Sequence, residues 1–239
     1  MSAAIIGTNL SYLILTFLPP LVWLVFYLRE DCHPEPKRLI LIAFVSGIAS
    51  AVFAVIIEIF LIGPEGIFFP AIRIETTPML FFLVIAFIEE YVKYLAVKFA
   101  IIRQRDFDEP IDGMIYMITA ALGFAAIENT LFILPLLHES VLAGFEVTAN
   151  RFLGANLLHA LSSGIVGFFL ARAWFSPYRR HLIFAGILVA TMLHASFNYL
   201  ILIKDDVAQG VFYVVFLLLL MAVMVLVDFE RLKEKQATF

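Results

Sequence analysis

The stretch Phe87-Ile88-Glu89-Glu90-Tyr91-Val92-Lys93 decides how this chain is interpreted. It places two carboxylates and one ammonium group near the middle of an apolar segment, residues 79–101, which is long enough to cross a bilayer. Each isolated charge at that depth costs about 2.5–3.5 kcal/mol on insertion scales. Charged residues that are this costly to place in a bilayer indicate a function, and their side chains need partners from other segments of the chain.

The composition predicts an all-α, multi-pass protein of the cell membrane. Of the 239 residues, 63% are hydrophobic and only 15% are charged, whereas about a quarter of the residues of a soluble domain are charged. The lipid bilayer is therefore an expected partner, and a net charge of −4 with basic residues at segment ends indicates no nucleic-acid partner. Cys32 is the only cysteine, which excludes an intrachain disulfide and a thiolate metal cluster.

Seven stretches are apolar and long enough to span the membrane. They are residues 8–28, 39–62, 79–101, 111–134, 150–173, 181–203 and 208–227. Pro19 and Pro20 are expected to kink or split the first span. No linker or second domain separates the spans, so we expect residues 1–239 to form one membrane domain with a catalytic core at about 79–203.

The basic residues predict the orientation of the chain, because cytoplasmic loops are enriched in Lys and Arg. They cluster after spans one, three, five and seven, whereas the opposite side carries only Arg73, Arg151 and Lys204. The N-terminus is therefore expected outside the cell and the C-terminus in the cytoplasm. Two apolar outer loops, residues 63–78 and 135–149, are expected either to pack at the membrane surface or to gate an outward-facing site.

Lys93 follows Glu89 by four residues and Glu90 by three, so it shares a helix face with both carboxylates. One interpretation is an ion pair that fixes helix packing. Packing needs only one carboxylate, however, and two carboxylates beside one cation are expected to titrate apart, as in general acid/base catalysis.

Spans four to six carry further polar residues at helical spacing. They are Glu128 and Asn129 in span four, Asn156, His159, Ser162 and Ser163 in span five, and Thr191, His194 and Asn198 in span six. At about 1.5 Å per residue, Glu89, Glu128, His159 and His194 lie roughly 9–15 Å below the outer ends of their spans. The agreement in depth predicts one polar cavity between spans three and six, in the middle to outer half of the bilayer.

The charge of this cavity leaves two chemical routes open. Three carboxylates and Lys93 carry a formal charge of −2 if all are ionised, which a low-dielectric site tolerates only with protons or a divalent cation. In one route, two histidines and a glutamate bind zinc with an open position for water, and a second glutamate is the base. In the other route, a glutamate activates water without metal, and His194 with Asn198 stabilises the oxyanion. Both routes hydrolyse an amide.

Four motifs in spans three to six carry a resemblance to a known family. They are Glu89-Glu90-x-x-Lys93, Gly123-Phe124-Ala125-x-x-Glu128-Asn129, His159-Ala160-x-Ser162-Ser163-x-x-x-Gly167 and His194-x-x-x-Asn198. In this order they resemble the motifs of the PrsW family of intramembrane proteases, which is distantly related to the CAAX prenyl endopeptidases and bacteriocin-immunity proteins. The chain departs from those relatives at Lys93, where they have an Arg one residue later, and at Glu128, where they have a His.

The resemblance implies cleavage of membrane-protein or peptide substrates near the outer face, typically of anti-sigma factors in bacteria, by a metallopeptidase. The roles it suggests are Glu89 or Glu90 as the base, Lys93 as the group that keeps this pair ionised and oriented, and Glu128, His159 and His194 as ligands of Zn²⁺. Asn198 would be either an oxyanion donor or a residue that orients the groups of the site. A metal-independent glutamate protease, a proton-coupled transporter and a non-catalytic scaffold or immunity factor remain alternatives. The lack of an internal repeat argues against the transporter.

Overall fold

The computed structural model describes residues 3–62, 68–69, 71–137, 141–174, 176–202 and 207–236. Within these ranges the chain is all-helical, as expected, and has eight helices. They are α1 Ala3–Tyr27, α2 Lys37–Ile62, α3 Pro78–Ala100, α4 Asp112–Leu137, α5 Val141–Leu153, α6 Ala155–Trp174, α7 Arg179–Leu202 and α8 Val207–Gln236. The additional helix, α5, occupies much of the stretch 135–149 that was expected to be an outer loop.

Five helical segments of the described chain are long and apolar enough to cross a membrane. They are Lys37–Ile62, Asp112–Leu134, Gly144–Trp174, Arg179–Leu202 and Gln209–Glu234. Helix α3 is not among them because Glu89, Glu90 and Lys93 interrupt its apolar sequence, and these three side chains are buried against other helices. The chain is therefore a multi-pass membrane protein, and its orientation stays a prediction.

Helix α4 forms the centre of the bundle and packs against α1, α2, α3, α5 and α6. Two glycines bring the backbones of α2 and α4 into contact. A Cβ atom added at Gly123 would lie 2.0 Å from the backbone oxygen of Phe44, and one added at Gly47 would lie 1.9 Å from the backbone oxygen of Ala120. Gly123 thus permits the close helix approach that small residues favour in membranes.

The two ends of the chain differ from the sequence-based expectation. Helix α1 continues through Pro19 and Pro20, so of the expected kink or split the structure excludes the split. Helix α8 continues to Gln236, beyond residue 227, where the seventh span was expected to end. Lys233 fixes this end, since its Nζ lies 2.7 Å from Oε2 of Glu30 and 2.8 Å from Oε1 of Glu230.

On the predicted cytoplasmic side, the loop between α1 and α2 is attached to α4. The hydroxyl of Tyr116 donates a hydrogen bond to Oε2 of Glu35, and Nδ1 of His33 lies 2.8 Å from Oε1 of Glu109. Burial raises the pKa of the Glu35 carboxyl above its usual value of 4.5. This contact places a titratable group between the loop and the central helix.

Candidate active site

The helices that carry the predicted site residues meet at one cavity of about 560 Å³, which is lined by residues from α2 to α7. It reaches the helix ends that are predicted to face outward, because Phe81 near the start of α3 and Leu202 at the end of α7 line it. Its polar wall consists of Glu58, Glu89, Glu128, Arg151, His159, His194 and Asn198. The polar cavity expected from depth alone is therefore present.

Glu90 is a fully buried carboxylate at the junction of α3, α6 and α7. Its Oε1 lies 2.9 Å from each of three nitrogen or oxygen donors, Lys93 Nζ, Ser162 Oγ and His194 Nδ1. Its Oε2 accepts a fourth hydrogen bond of 2.9 Å from Ser163 Oγ. Because both oxygens are occupied, Glu90 is placed to hold helices and partners rather than to bind water.

Glu89 points in another direction, since adjacent helical residues are about 100° apart around the axis. It lines the cavity, and its hydrogen bond to Lys93 Nζ is long, at 3.5 Å. Its Oε2 lies 3.9 Å from Nδ1 of His159 and 3.7 Å from Nε2 of His194. Of the two adjacent carboxylates, Glu89 is thus the one that faces the space where a reaction could occur.

The partners of His159 assign its tautomer. Lys93 Nζ lies 2.8 Å from Nδ1, and an ammonium group has only donors, so Nδ1 accepts this hydrogen bond. Nε2 therefore carries the proton and donates it to Oε2 of Glu128 at 2.6 Å. The lone pair of Nδ1 is on the side of the ring that faces Lys93 and Glu89.

The contacts of His194 assign its tautomer in the same way, but the roles of Nδ1 and Nε2 are exchanged. Its Nδ1 lies 2.9 Å from Oε1 of Glu90 and donates to this carboxylate, so the lone pair of Nε2 is directed toward Glu89. Each imidazole is thus held through one nitrogen by a carboxylate and presents the other to Glu89. Metal-binding histidines are commonly oriented in this way.

Glu89, His159 and His194 are the group in the described chain that could hold a metal ion, with ligand atoms within 4.8 Å of one another. Tetrahedral zinc with bonds of about 2.0–2.1 Å holds its ligands roughly 3.3 Å apart. The observed distances of 3.7 and 3.9 Å from Glu89 Oε2 to the imidazoles are therefore only a few tenths of an ångström too long. The donor set fits zinc in type, burial and approximate spacing once Lys93 Nζ, which lies 2.8 Å from His159 Nδ1, moves away from that nitrogen.

This group contains Glu89 where the sequence analysis placed Glu128. Oε2 of Glu128 contacts Nε2 of His159, the nitrogen that faces away from Glu89, and it also lies 2.7 Å from Nη2 of Arg151. The geometry favours Glu128 as the residue that orients His159. Asn198 lines the cavity on α7, and its role as an oxyanion donor stays a prediction.

Two residues of the cavity wall were missed by sequence reasoning. Arg151 was counted only as a basic residue at the outer end of span five, but it lies on α5 and binds Glu128. Glu58 lies on α2, and its buried Oε1 has no hydrogen-bond partner within the described part of the chain. A depth count along span two would have found Glu58, because it stands four residues from the end of that helix.

With these additions the cavity keeps an excess of negative charge. Four glutamates and two cations leave a formal charge of −2 if all are ionised. They are Glu58, Glu89, Glu90 and Glu128, with Lys93 and Arg151. Bound protons or a divalent cation would balance this charge in a buried site.

Residues 35–226 of the chain match the model of a family described as PrsW family intramembrane metalloprotease. The match covers more than half of the chain. The chain belongs to the PrsW family. The matched region of this PrsW protein includes the four motifs and also Glu58 and Arg151.

Curated relatives support the same assignment, and each is named Protease PrsW. The protein from Geobacillus kaustophilus is 33% identical over 181 residues, which cover 75% of this chain and 74% of the relative. The one from Bacillus subtilis is 28% identical over 178 residues, covering 74% and 75%. The one from Clostridioides difficile is 32% identical over 126 residues, covering 52% of each chain. No solved structure matches this PrsW chain.

Proposed function

We propose that this protein is an intramembrane endopeptidase that hydrolyses peptide bonds of membrane-protein substrates near the outer face of the membrane. The observation that carries the proposal is the convergence of Glu89 with the lone pairs of His159 and His194 at a cavity. Acidic and imidazole groups that converge in a pocket are typical of hydrolytic sites. The resemblance of the four motifs extends the proposal to anti-sigma-factor-like substrates.

In the main route, Glu89, His159 and His194 hold a zinc ion, for which the negative charge of the cavity provides a counter-charge. Zinc, when bound, polarises a peptide carbonyl and makes a water molecule acidic. Glu90 and Glu128 hold the two imidazoles through their other nitrogens.

The remaining polar residues of the wall complete this route. Lys93 balances Glu90 at 2.9 Å and keeps this carboxylate in the form that accepts hydrogen bonds. Glu58 accepts the proton of the attacking water, because its Oε1 is a buried oxygen of the wall without a partner in the described chain. Asn198 donates its amide hydrogen to the oxyanion that develops on the carbonyl.

A metal-independent glutamate protease is the second candidate, and the position of Lys93 favours it. Its Nζ lies 2.8 Å from His159 Nδ1, where it occupies the direction from which a metal ion would approach that nitrogen. In this route Glu89 is the base for the attacking water. Membership in a protease family favours both candidates over the proton-coupled transporter.

The test uses the purified protein in liposomes together with a single-pass membrane protein as substrate. The substrate is identified by comparing new protein N-termini in membranes that contain either the wild-type chain or Glu89→Gln. We expect cleavage by the wild type and none by Glu89→Gln or His194→Ala, whereas Glu146→Gln, which alters an exposed carboxylate of α5, retains activity. Normal cleavage by Glu89→Gln would refute the proposed site.

Elemental analysis separates the two routes. The zinc route predicts one zinc ion per chain, loss of zinc in His159→Ala, and activity that chelators remove and added zinc restores. Activity that survives chelators in a protein without stoichiometric zinc would instead establish the metal-independent route. Proton uptake into liposomes by a protein that cleaves nothing would favour transport.

A further inference from the structure

We infer that Arg151 is a positioning residue, which holds Glu128 against Nε2 of His159 and so keeps Nδ1 of that imidazole directed toward Glu89. This role deepens the proposed function and rests on it for its importance in catalysis. Arg151 lies outside the four sequence motifs, on a helix that includes part of a predicted outer loop and the predicted start of span five.

Three contacts fix the guanidinium group of Arg151. Nη2 lies 2.7 Å from Oε2 of Glu128, Nε donates to Oδ1 of Asn129 at 2.6 Å, and the central carbon lies 4.5 Å from the centre of the Phe132 ring. The planar group is thus held at two edges and on one face. Such a combination is available to arginine and not to lysine.

One oxygen atom links Arg151 to His159. Oε2 of Glu128 is 2.7 Å from Arg151 Nη2 and 2.6 Å from His159 Nε2, so the arginine determines where the acceptor of the imidazole proton lies. The Glu128 side chain is 23% exposed in the cavity, whereas His159 is 1% exposed. Without Arg151, the carboxylate would be free to turn toward the cavity, and His159 Nε2 would lose its partner.

The helix that carries Arg151 lies at the surface of the bundle. Leu142, Phe145 and Leu153 of α5 are exposed, so this helix presents apolar side chains to its surroundings. Arg151 also belongs to the wall that the catalytic cavity shares with a groove of about 350 Å³ along α7 and α8. The chain Arg151–Glu128–His159 therefore connects a surface helix with the interior of the site.

Nuclear magnetic resonance of chain labelled with ¹⁵N-histidine tests this role directly. The protein has five histidines, and the His159 signals are those absent from His159→Asn. In chelator-treated wild type we expect the proton on Nε2 of His159. In Arg151→Gln, Lys93 still donates to Nδ1 and keeps the proton on Nε2, but Glu128 no longer holds that proton. We therefore expect the Nε2–H signal of His159 to shift and to exchange faster with water, and we expect kcat to fall about 10–100-fold with little change in KM, as after loss of partners that orient a ligand.

Matched variants distinguish positioning from general stability. Arg151→Lys, which can still pair with Glu128, should recover part of kcat and of the wild-type Nε2–H signal, and Asn150→Ala, a change at the neighbouring α5 residue, should resemble wild type. Arg151→Gln combined with Glu128→Gln should be no worse than Glu128→Gln alone, because the arginine acts through the carboxylate.

Three results would overturn the inference: an unchanged Nε2–H signal of His159 in Arg151→Gln, losses that add in the double variant, or an Arg151→Lys protein no better than Arg151→Gln. A purely structural arginine would lower the unfolding temperature and leave the Nε2–H signal as it is. If the wild-type chain cleaves no substrate, the proposed function fails, and the Nε2–H measurement still decides the role of Arg151.

Discussion

Replacing Glu89 and Glu90 in turn by glutamine separates the two adjacent carboxylates, because the structure gives them different roles. Glu90 accepts four hydrogen bonds of 2.9 Å and is fully buried, whereas Glu89 makes one long contact with Lys93 at 3.5 Å and faces the cavity. Both variants are expected to lose cleavage. Only Glu90→Gln is expected to lose much stability.

The size of the expected loss of stability follows from the side chains that lose a partner. Glu90→Gln removes the close counter-charge of Lys93, which is itself fully buried, and breaking one side of a buried ion pair costs about 3–5 kcal/mol. For a chain of this size about 2–4 °C of unfolding temperature corresponds to 1 kcal/mol, so we expect a decrease of roughly 6–20 °C. Glu89→Gln leaves the Lys93–Glu90 pair intact and weakens one contact of 3.5 Å, so it should cost about 1 kcal/mol.

The assay is thermal unfolding of the purified chain in detergent, followed by the fluorescence of Trp23 and Trp174, with cleavage measured on the same samples. Ser196→Ala serves as a control. Among its described contacts, the Ser196 hydroxyl on α7 donates only to the backbone oxygen of Met192. The reasoning is refuted if Glu89→Gln unfolds at as low a temperature as Glu90→Gln, or if Glu90→Gln remains both stable and active.

Three further predictions concern other parts of the bundle. Gly47→Ala should destabilise the protein by several kcal/mol, on the order of 3 or more, because the new Cβ would lie 1.9 Å from the backbone oxygen of Ala120; unfolding temperature and yield of folded protein measure this, and an unchanged yield would contradict the packing. Glu58→Gln should lower kcat about tenfold or more, because it removes the base of the zinc route. It should raise the unfolding temperature slightly, because it neutralises a carboxylate whose buried Oε1 has no partner in the described chain. Activity equal to that of the wild type would exclude Glu58 as the base. Burial raises the pKa of Glu35, so this group stabilises the fold fully below its unfolded pKa of about 4.5, and the stabilisation is lost as pH rises through the higher folded value. The unfolding temperature of Glu35→Gln relative to wild type should therefore increase between pH 4.5 and 8, and a constant difference would contradict this.

Hydropathy and spacing predicted the elements of the fold closely. Helix α3 was expected at residues 79–101 and is found at Pro78–Ala100, because a proline at the first position of a helix and a long apolar run both mark its start. The polar level was also predictable, since the rise per residue places Glu89, Glu128 and the two histidines at similar depth. Family membership confirms what the order of the four motifs indicated.

The directions in which individual side chains point could not be predicted from the sequence. Glu89 and Glu90 are adjacent and chemically identical, and the contacts made by the serines of α6 and by His194 of α7 show that Glu90 is the one held inside the bundle. The rotation of α3 about its axis depends on contacts made by other helices, which one sequence does not reveal. Arg151 was missed for a related reason: a basic residue near a span end signals orientation, and its turn back into the cavity depends on how α5 packs.

The backbone contact between α2 and α4 has a consequence for how a substrate could enter. At Gly47 and Gly123 the two helices touch without intervening side chains, so neither can slide or tilt against the other without a clash. The part of the cavity wall that bears Glu58 and Glu128 therefore moves as one body. Admission of a polypeptide would therefore require displacement of helices on other sides of the cavity, among which α5 is a short helix with exposed apolar side chains.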